Sequence, residues 1–367
     1  MGIQTLPLLI GGMQVLKSSY LPGDVDILLK DITGLVEPLP ASVREAKIQS
    51  GIHYCEMLPL EYRPSDNYMK AYENALQNFA KPTAIAVGVI AEKLYAQKGK
   101  TLVLVSLARA GIPIGVLIKR YLFHKYHVQV QHYAISIIRG RGIDKNAMDY
   151  ILSIHSPEDI QFVDGWIGKG AILTQLKEAL LDYPNVSSDI AVVSDPANLT
   201  NLCGTHDDIL IASSCLNATV TGLISRTFLR SDIIGPSDFH GAAFYETFKD
   251  QDLSLEFVQR IEKEFVYDYP VDSMDSDFVS GPVVVVKIAE EYGIDDINFI
   301  KPGIGEATRV LLRRVPWKII VNKKYKNADE LRHIYQLAAE KNVTCEISRV
   351  NLGNYKVCGI IKKLSDI

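Results

Sequence analysis

The chain has 367 residues, of which 47% are hydrophobic and 22% are charged, and its formal net charge is −4. These values are typical of a globular protein and exclude a mostly disordered chain. The length predicts two or three domains. The apolar runs, such as 101–105 and 209–212, are shorter than the roughly 18 residues that a membrane span requires, so we expect no membrane segment.

The charge is unevenly distributed along the chain. Residues 281–367 contain 15 lysines and arginines against 10 aspartates and glutamates, whereas the remainder is acidic. A basic region on an acidic body predicts a polyanionic partner for the last part of the chain.

The cysteines indicate the compartment. There are five, they are widely scattered, and none forms a Cys-x-x-Cys pair: Cys55, Cys203, Cys215, Cys345 and Cys358. The pattern therefore predicts neither a disulfide framework nor a zinc site. Residues 1–12 lack the basic region and cleavage pattern of a signal peptide, so we expect a cytoplasmic protein.

Residues 1 to about 75 show no regular repeat of strands. A possible N-cap at Asp24 predicts a short helix from about Val25, and a second helix is expected over residues 41–49. Residues 50–64 have no regular period, which is typical of a functional loop or of a loop packed over a core. A helical region over residues 67–97 is expected to be interrupted near Pro82.

From Thr101 the chain alternates between strands and helices. Apolar segments at 101–105, 128–138, 159–163, 188–193 and 208–212 predict strands. The helical segments between them predict parallel βαβ units and an α/β fold with a mostly parallel three-layer sheet. Ligands collect at the carboxyl ends of such strands. Four loops are therefore expected to face one cleft: 106–113, 164–170, 195–198 and 213–219.

The loop from Asp164 to Gly170 is the most informative of the four. It is a glycine-rich turn from a strand into a helix, and the free N–H groups of a helix start suit a phosphate. The Asp164 carboxylate suits a sugar diol or a metal ion. An ordinary tight connection is the alternative. Arg139 and Arg141 lie between glycines on a loop that would close over the cleft, unless it is only a solvated hairpin turn.

Several motifs carry a resemblance to a known family. They are residues 24–31, 51–59, 162–172 and 213–227. Together they resemble the StiP family, a bacterial phosphoribosyltransferase-like group that is associated with tellurite-resistance and stress gene clusters and labelled as cysteine proteases. The resemblance spans roughly residues 15–270. It implies a sheet of the type I phosphoribosyltransferase kind.

The resemblance implies a transferase that uses phosphoribosyl pyrophosphate (PRPP) and a base-like acceptor. Asp164 would accept the ribose hydroxyls and hold Mg²⁺ indirectly through the diphosphate, while Arg109, Arg139 and Arg141 would neutralise the departing charge. The residues implied to bind the phosphorylated ribose are Ser106, Ala108, Ala110, Gly111, Gly165, Trp166, Gly168, Lys169 and Gly170.

Two further hypotheses stay open. The first is a cysteine protease or hydrolase with Cys215 as nucleophile and His206 or His240 as base. The alternative for Cys215 is a purely structural role in the packing of a crowded strand end. The second is a non-catalytic stress protein that binds a nucleotide and RNA. The sequence leaves the oligomeric state open.

The last part of the chain reads as a separate small α/β/α unit. It resembles the pelota-type RNA-binding domain, which places a glycine-rich helix start against RNA. The matching positions are Gly303, Gly305, Glu306 and Arg309, and Arg313 and Lys323 would extend the basic surface. A solvated basic face is the alternative. The predicted division is a cap at 1–100, a core at 101–270, a linker at 271–281 and the RNA-binding domain at 282–367.

Overall fold

The computed structural model describes residues 9–10, 13–268 and 279–362. The strands are β1 (Leu9–Ile10), β2 (Met13–Gln14), β3 (Asp26–Ile27), β4 (Lys30–Asp31), β5 (Val103–Ala108), β6 (Gln131–Ile138), β7 (Gly142–Ile143), β8 (Ile160–Trp166), β9 (Ile190–Ser194), β10 (Cys203–Thr205), β11 (Gly241–Ala242), β12 (Ile300–Pro302), β13 (Pro316–Val321), β14 (Thr344–Ile347) and β15 (Val357–Ile361). The helices are α1 (Ala41–Gln49), α2 (Asp66–Lys98), α3 (Gly111–Tyr126), α4 (Lys145–Leu152), α5 (Ala171–Ala179), α6 (Ser254–Glu262), α7 (Gly281–Tyr292), α8 (Ile304–Arg313) and α9 (Arg332–Glu340).

The main sheet confirms the predicted α/β fold with mostly parallel strands. Its order is β10-β9-β8-β5-β6-β3, every neighbouring pair on this path is parallel, and β7 adds an antiparallel edge to β6. The central strands are buried on both faces, which explains their continuous apolar sequences. Alternate residues point to opposite sides. Leu104 joins the core beneath α2 and α3, whereas Val103 and Val105 join the core beneath α4 and α5.

Three local predictions are wrong. Residues 26–27 and 30–31 form short strands instead of a helix, because Ile27 pairs with Ala134 at the sheet edge. The segment 208–212 is not a strand, since β10 occupies the edge position beside β9. Helix α2 continues through Pro82 without a break. The lost hydrogen bond is tolerated because the following turns, including Val87 and Ile90, are completely buried.

The C-terminal domain, residues 279–362, is a separate four-stranded sheet with three helices. The strand order is β12-β15-β13-β14, in which β13 and β14 are parallel and the other pairs are antiparallel. The predicted unit is present, although strand β15 was not predicted. The predicted linker falls mostly on residues 271–278, which lie outside the described part of the chain.

The C-terminal domain is joined to the rest of the protein by buried polar contacts. The Asp208 carboxylate accepts the backbone N–H groups of Ile304 and Lys356, each at 2.9 Å. Asp208 therefore caps the N-terminus of α8 from a distant part of the chain. The Tyr355 hydroxyl donates to the Gly168 carbonyl at 2.6 Å, which connects the domain to the predicted phosphate loop.

Replacing Asp208 by alanine is expected to lower the free energy of unfolding by about 1–3 kcal/mol, because two buried N–H groups lose their acceptor. Urea unfolding of the full chain measures the loss. Asp207→Ala is the matched control, since the Asp207 side chain is half exposed and its ion pair with Lys356 is shared with Glu330. Equal losses in the two variants would contradict the capping role.

Candidate functional site

A cleft of about 300 Å³ opens at the carboxyl ends of β5, β6 and β8. Parallel strands bring the loops that follow them to one edge of the sheet, which is why these loops meet. The opposite wall belongs to the C-terminal domain, where β12 and the start of α8 contribute Lys301, Pro302, Glu306 and Arg309. The cleft therefore lies between the two parts of the chain.

The structure brings together most of the residues predicted to hold a phosphorylated ribose. The cleft lining includes Ala108, Arg109, Ala110, Arg139, Asp164, Trp166, Gly168, Lys169 and Gly170. Four predicted residues have other surroundings. Ser106 is buried between the Gly111 carbonyl and the His132 ring, and Gly165 is buried beside Ala110. The Arg141 guanidinium pairs with Glu56 at 2.8 Å.

Gly111 has a packing role. A Cβ atom at this position would stand 2.3 Å from the carbonyl oxygen of Val163 in β8. Only glycine lets the first turn of α3 approach the strand so closely. The glycine that the sequence placed in a pyrophosphate loop therefore sets the contact between helix and sheet.

The cleft is strongly basic. Its cations are Arg109, Arg139, Lys169, Lys301 and Arg309, against the carboxylates of Asp164 and Glu306. Burial, together with the neighbouring charges of Lys301 and Arg139, lowers the pKa of Lys169 to about 8. Only part of this charge is balanced within the cleft, through the Arg309–Glu306 ion pair at 2.8 Å. Such a cleft favours an anionic ligand.

Asp164 has an unusual environment for a carboxylate. Burial raises its pKa to about 7, and the negative charge of Glu306 adds to the shift, while Arg309 and the hydrogen bond from the Gly165 N–H oppose it. The group therefore changes its charge near neutral pH. A cation bound in the cleft would favour the ionised form.

This pKa predicts a specific pH dependence of stability. An aspartate has a pKa of 3.8 when unfolded, so folded Asp164 binds its proton more tightly. Its stabilising contribution is complete below that value and is lost as the pH rises through about 7. The free energy of unfolding of the wild type should therefore fall relative to Asp164→Asn over this range. Parallel curves from urea unfolding at several pH values would contradict the assignment.

The residues predicted to contact RNA lie mostly at the interface between the two parts of the chain. Gly303 lies beside Asp208, and Gly305 lies beside Ser214. Arg313 donates to the Asn217 side chain at 2.8 Å and to the Ser214 carbonyl at 3.2 Å. Glu306 and Arg309 line the cleft, whereas Lys323 is exposed elsewhere. An RNA that reaches Arg309 has to enter the cleft.

Cys215 lies in the hydrophobic core, with a completely buried side chain. Burial raises the pKa of its thiol to about 12, although Arg313 acts in the opposite direction. The histidines predicted as its base contact other groups. The His206 ring lies 3.5 Å from Cys203, and the His240 ring lies 2.9 Å from the Ser136 hydroxyl. This environment favours an unreactive thiol.

A different cysteine has a histidine at hydrogen-bonding distance. The Cys55 sulfur is 3.0 Å from Nδ1 of His53, and Nε2 of the same ring is 3.1 Å from the Arg139 carbonyl oxygen. Because a carbonyl only accepts, Nε2 carries the proton and Nδ1 is the acceptor nitrogen that faces the thiol. The backbone fixes the pair, since Nδ1 also accepts the N–H of Cys55.

The sequence prediction missed this pair, although its signal was present. His53-x-Cys55 lies within residues 51–59, one of the motifs that carried the family resemblance. The segment forms a short 3₁₀ turn with His53 as its N-cap, and this turn places the ring beside the thiol. Burial raises the pKa of Cys55 to about 11, and the nearby Arg141 opposes this shift. Proton transfer to His53 is therefore needed to form a thiolate.

Comparison with known proteins identifies both parts of the chain. Residues 18–262 match the family described as "Tellurite-like stress resistance cysteine protease StiP", and residues 279–363 match the PELOTA RNA binding domain. A relative from Acinetobacter baylyi (strain ATCC 33305 / BD413 / ADP1), named "Cysteine protease StiP", is 33% identical over 380 residues. The alignment covers 96% of this chain and 95% of the relative.

These matches correct the predicted reaction. Both the family and the relative are described as cysteine proteases, so the prediction of a PRPP-dependent transferase is wrong. The expected C-terminal RNA-binding domain is confirmed as a domain, and its match indicates RNA binding. Within the described residues, no helix is both long and apolar enough to cross a membrane. The chain belongs to the StiP family and carries a PELOTA domain at its C-terminal end.

Proposed function

We propose that the protein is a cysteine hydrolase that cleaves peptide bonds, with Cys55 as nucleophile and His53 as general base. The observation that carries this proposal is the 3.0 Å contact between the Cys55 sulfur and Nδ1 of His53, in a ring oriented through Nε2 by the Arg139 carbonyl. A nucleophile, a base and a group that orients the base are the parts that covalent catalysis by a thiol requires. The name of the Acinetobacter relative supplies the substrate class.

The reaction follows from the positions of these atoms. His53 Nδ1 takes the thiol proton, and the Cys55 thiolate attacks the carbonyl carbon of the substrate. The tetrahedral adduct collapses as the protonated ring gives its proton to the leaving amine. The resulting thioester is hydrolysed by water, with His53 again acting as base.

Access to Cys55 requires a movement. The residue is only 1% exposed, and the exposed turn 139–141 lies against the His53 ring through the Arg139 carbonyl. This turn is held by the Arg139 N–H, which donates to the Tyr54 hydroxyl at 3.0 Å, and by the Arg141–Glu56 ion pair. Gly140 and Gly142 have positive φ angles of 78° and 89°, which glycine tolerates. Lifting this turn would expose the thiol.

The same turn connects the cysteine to the cleft. The Arg139 side chain lines the cleft, while the Arg139 carbonyl orients the His53 ring. An anionic ligand that binds the Arg139 guanidinium would shift the turn 139–141, and the His53 ring would move with it. A phosphate-bearing ligand suits the charges of the cleft. Mg²⁺ as its counterion, a ribose as part of it, and the phosphoribosyltransferase kind of sheet stay predictions.

Hydrolysis of a quenched fluorescent peptide library tests the proposed function. We expect turnover by the wild type and by Cys215→Ser and Cys345→Ser, and a loss of at least about a thousandfold in Cys55→Ser. Circular dichroism verifies that each variant is folded. Undiminished turnover in Cys55→Ser, or loss of turnover in Cys215→Ser with the fold intact, would remove Cys55 from its role.

We infer a second function, RNA binding through the cleft, from the position of Arg309. This residue lies on the PELOTA helix α8, yet its guanidinium lies 5.8 Å from the centre of the Trp166 ring inside the cleft. A base or phosphate of a single strand would meet both an aromatic face and cations there.

Titration with a fluorescent single-stranded oligonucleotide distinguishes the cleft from the outer face. Arg309→Ala should weaken binding by about tenfold and reduce its salt dependence, whereas the exposed Lys323→Ala should leave affinity nearly unchanged. The opposite ranking would place the RNA on the outer face of the domain.

A further inference from the structure

Arg226 is a partly buried arginine without a counterion. It lies near the end of the motif 213–227, which the proposed chemistry of Cys55 does not use. Within the part of the chain that the structure describes, its carbonyl accepts a hydrogen bond from Ser225, but its guanidinium contacts no acceptor and no carboxylate. The charges that act on it most strongly belong to other arginines, namely Arg109, Arg309, Arg44 and Arg314. A partly buried charge without a counterion costs free energy, which a bound anion would recover.

The backbone places Arg226 between the cleft and the Cys55–His53 pair. Three residues further along the chain, the Leu229 N–H donates to the Cys55 carbonyl at 2.9 Å. Two residues before Arg226, the Ile224 carbonyl accepts a hydrogen bond from the Arg109 guanidinium at 2.7 Å. Three residues of extended chain span about 10 Å, so a peptide held at Cys55 reaches Arg226 with a side chain two or three positions from the bond that is attacked.

The electrostatic effects of Arg226 agree with this position. Burial raises the pKa of Tyr54, which lies between His53 and Cys55 in the chain, and the charge of Arg226 opposes the shift. Burial, together with the charges of the other arginines, lowers the pKa of Arg226 to about 9, so the group is still cationic at neutral pH. The guanidinium is therefore a charged group close to the turn that carries the nucleophile.

Arg109 adds a second cation whose charge is only partly balanced. Its Nη2 lies 3.4 Å from the Glu61 carboxylate and 3.2 Å from the Asn217 side-chain oxygen. Arg313 donates to the same Asn217 oxygen at 2.8 Å, so one amide oxygen serves two guanidinium groups. The Glu61 side chain is buried, which shows that these surroundings accommodate a carboxylate. Because the guanidinium groups outnumber the carboxylates that contact them, the site has room for one further negative charge.

We propose that Arg226, together with Arg109, binds the carboxylate of an acidic side chain in the peptide substrate, two or three residues from the bond that Cys55 attacks. The inference rests on the proposed function of Cys55. An arginine binds a carboxylate through two parallel hydrogen bonds, and a partly buried position strengthens them. The subsite selects peptides with glutamate or aspartate over neutral peptides of the same shape, and it takes no part in bond cleavage.

Binding of fluorescent peptides to the full-length Cys55→Ser chain, followed by anisotropy, tests the subsite. The probes are alanine hexapeptides with an amidated C-terminus that carry glutamate or glutamine at each position in turn. At one or two positions, the glutamate peptide should bind at least about tenfold more tightly than the glutamine peptide. Adding Arg226→Gln should remove this preference without weakening the glutamine peptide, and Arg226→Lys should restore part of it.

Arg230→Gln is the matched control. Arg230 lies on the same segment but has a counterion, Asp232, at 2.6 Å, so its loss should leave the preference unchanged. Arg226→Gln should melt no lower than its parent, because it removes an uncompensated charge. Circular dichroism with heating measures this, and a clear fall in the melting temperature would assign Arg226 a structural role instead.

Other results would also overturn the inference. They are equal affinity for glutamate and glutamine peptides at every position, and a glutamate preference that survives Arg226→Gln. Neutral free-acid peptides that bind as tightly as the amidated glutamate peptides would assign the subsite to a terminal carboxylate. Weaker oligonucleotide binding by Arg226→Gln with an unchanged peptide preference would assign the arginine to RNA. Equal hydrolysis of acidic and neutral peptides by the wild type overturns this inference alone, whereas no hydrolysis of any peptide overturns the proposed function and this inference with it.

Discussion

Replacing His53 by alanine is expected to lower kcat/KM for peptide hydrolysis by about 10²–10⁴-fold. Without Nδ1 at 3.0 Å, the Cys55 thiol has no base in contact, and burial keeps its pKa near 11. The rate of the variant should rise steadily with pH toward that value, because the thiolate then forms only by ionisation in solvent. Steady-state kinetics from neutral to alkaline pH measure both effects.

Tyr54→Phe is the matched control for this prediction. It removes the Tyr54 hydroxyl, which accepts a hydrogen bond from the Arg139 N–H, but leaves the contact between Cys55 and His53 in place. We expect a change of a few-fold at most, together with easier alkylation of Cys55, because the turn 139–141 loses one of the hydrogen bonds that hold it. A loss of activity in Tyr54→Phe as large as that in His53→Ala would contradict the role of His53 as base, because both variants would then act only by disturbing the local backbone.

Replacing Gly111 by alanine is expected to lower the free energy of unfolding by about 3 kcal/mol. The new Cβ would stand 2.3 Å from the Val163 carbonyl oxygen and 3.1 Å from the Asp164 Cα. Both are backbone atoms in the centre of the sheet, so neither can turn aside as a side chain would. Urea unfolding followed by circular dichroism measures the change.

Gly165→Ala is the control, since it changes another glycine of the predicted ribose-phosphate site. Its nearest neighbour would be the Ala110 carbonyl oxygen at 3.6 Å, an ordinary contact distance. The expected loss is below about 1 kcal/mol. Equal losses in the two variants would contradict the view that the close approach of Gly111 to β8 sets the spacing between helix and strand.

The central sheet was predictable because its strands are buried on both faces and therefore read as uninterrupted apolar runs. The edges were not. Residues 26–27 and 203–205 are strands of two and three residues, which is too short for an alternating hydrophobic pattern to be recognised in the sequence. They form strands only because they pair with a longer neighbouring strand. The segment 208–212 is as apolar as a strand, but its side chains pack as a loop in the same core cluster as residues of α2 and α8.

Two of the four loops predicted to face the cleft, 106–113 and 164–170, line it for the same reason, since parallel strands gather their following loops. The loops 195–198 and 213–219 do not line it, because the C-terminal domain supplies the opposite wall instead. The chemistry of the cleft was not predictable from these loops. The Asp164–Gly170 turn has the form of a phosphate site, yet form alone does not specify a reaction. The Cys55–His53 pair depends on the backbone turn at residues 54–56 and on Arg139, a residue 86 positions from His53. Hydropathy patterns carry no information on such a contact.

Labelling with a limiting amount of a peptidyl electrophile, followed by mass mapping of the modified cysteine, tests the central claim most directly. The proposed function predicts that Cys55 takes the label before the four other cysteines, and that His53→Ala slows this labelling at neutral pH. Preferential labelling of Cys215 or Cys203, or equal labelling of Cys55 in the wild type and in His53→Ala, would contradict it.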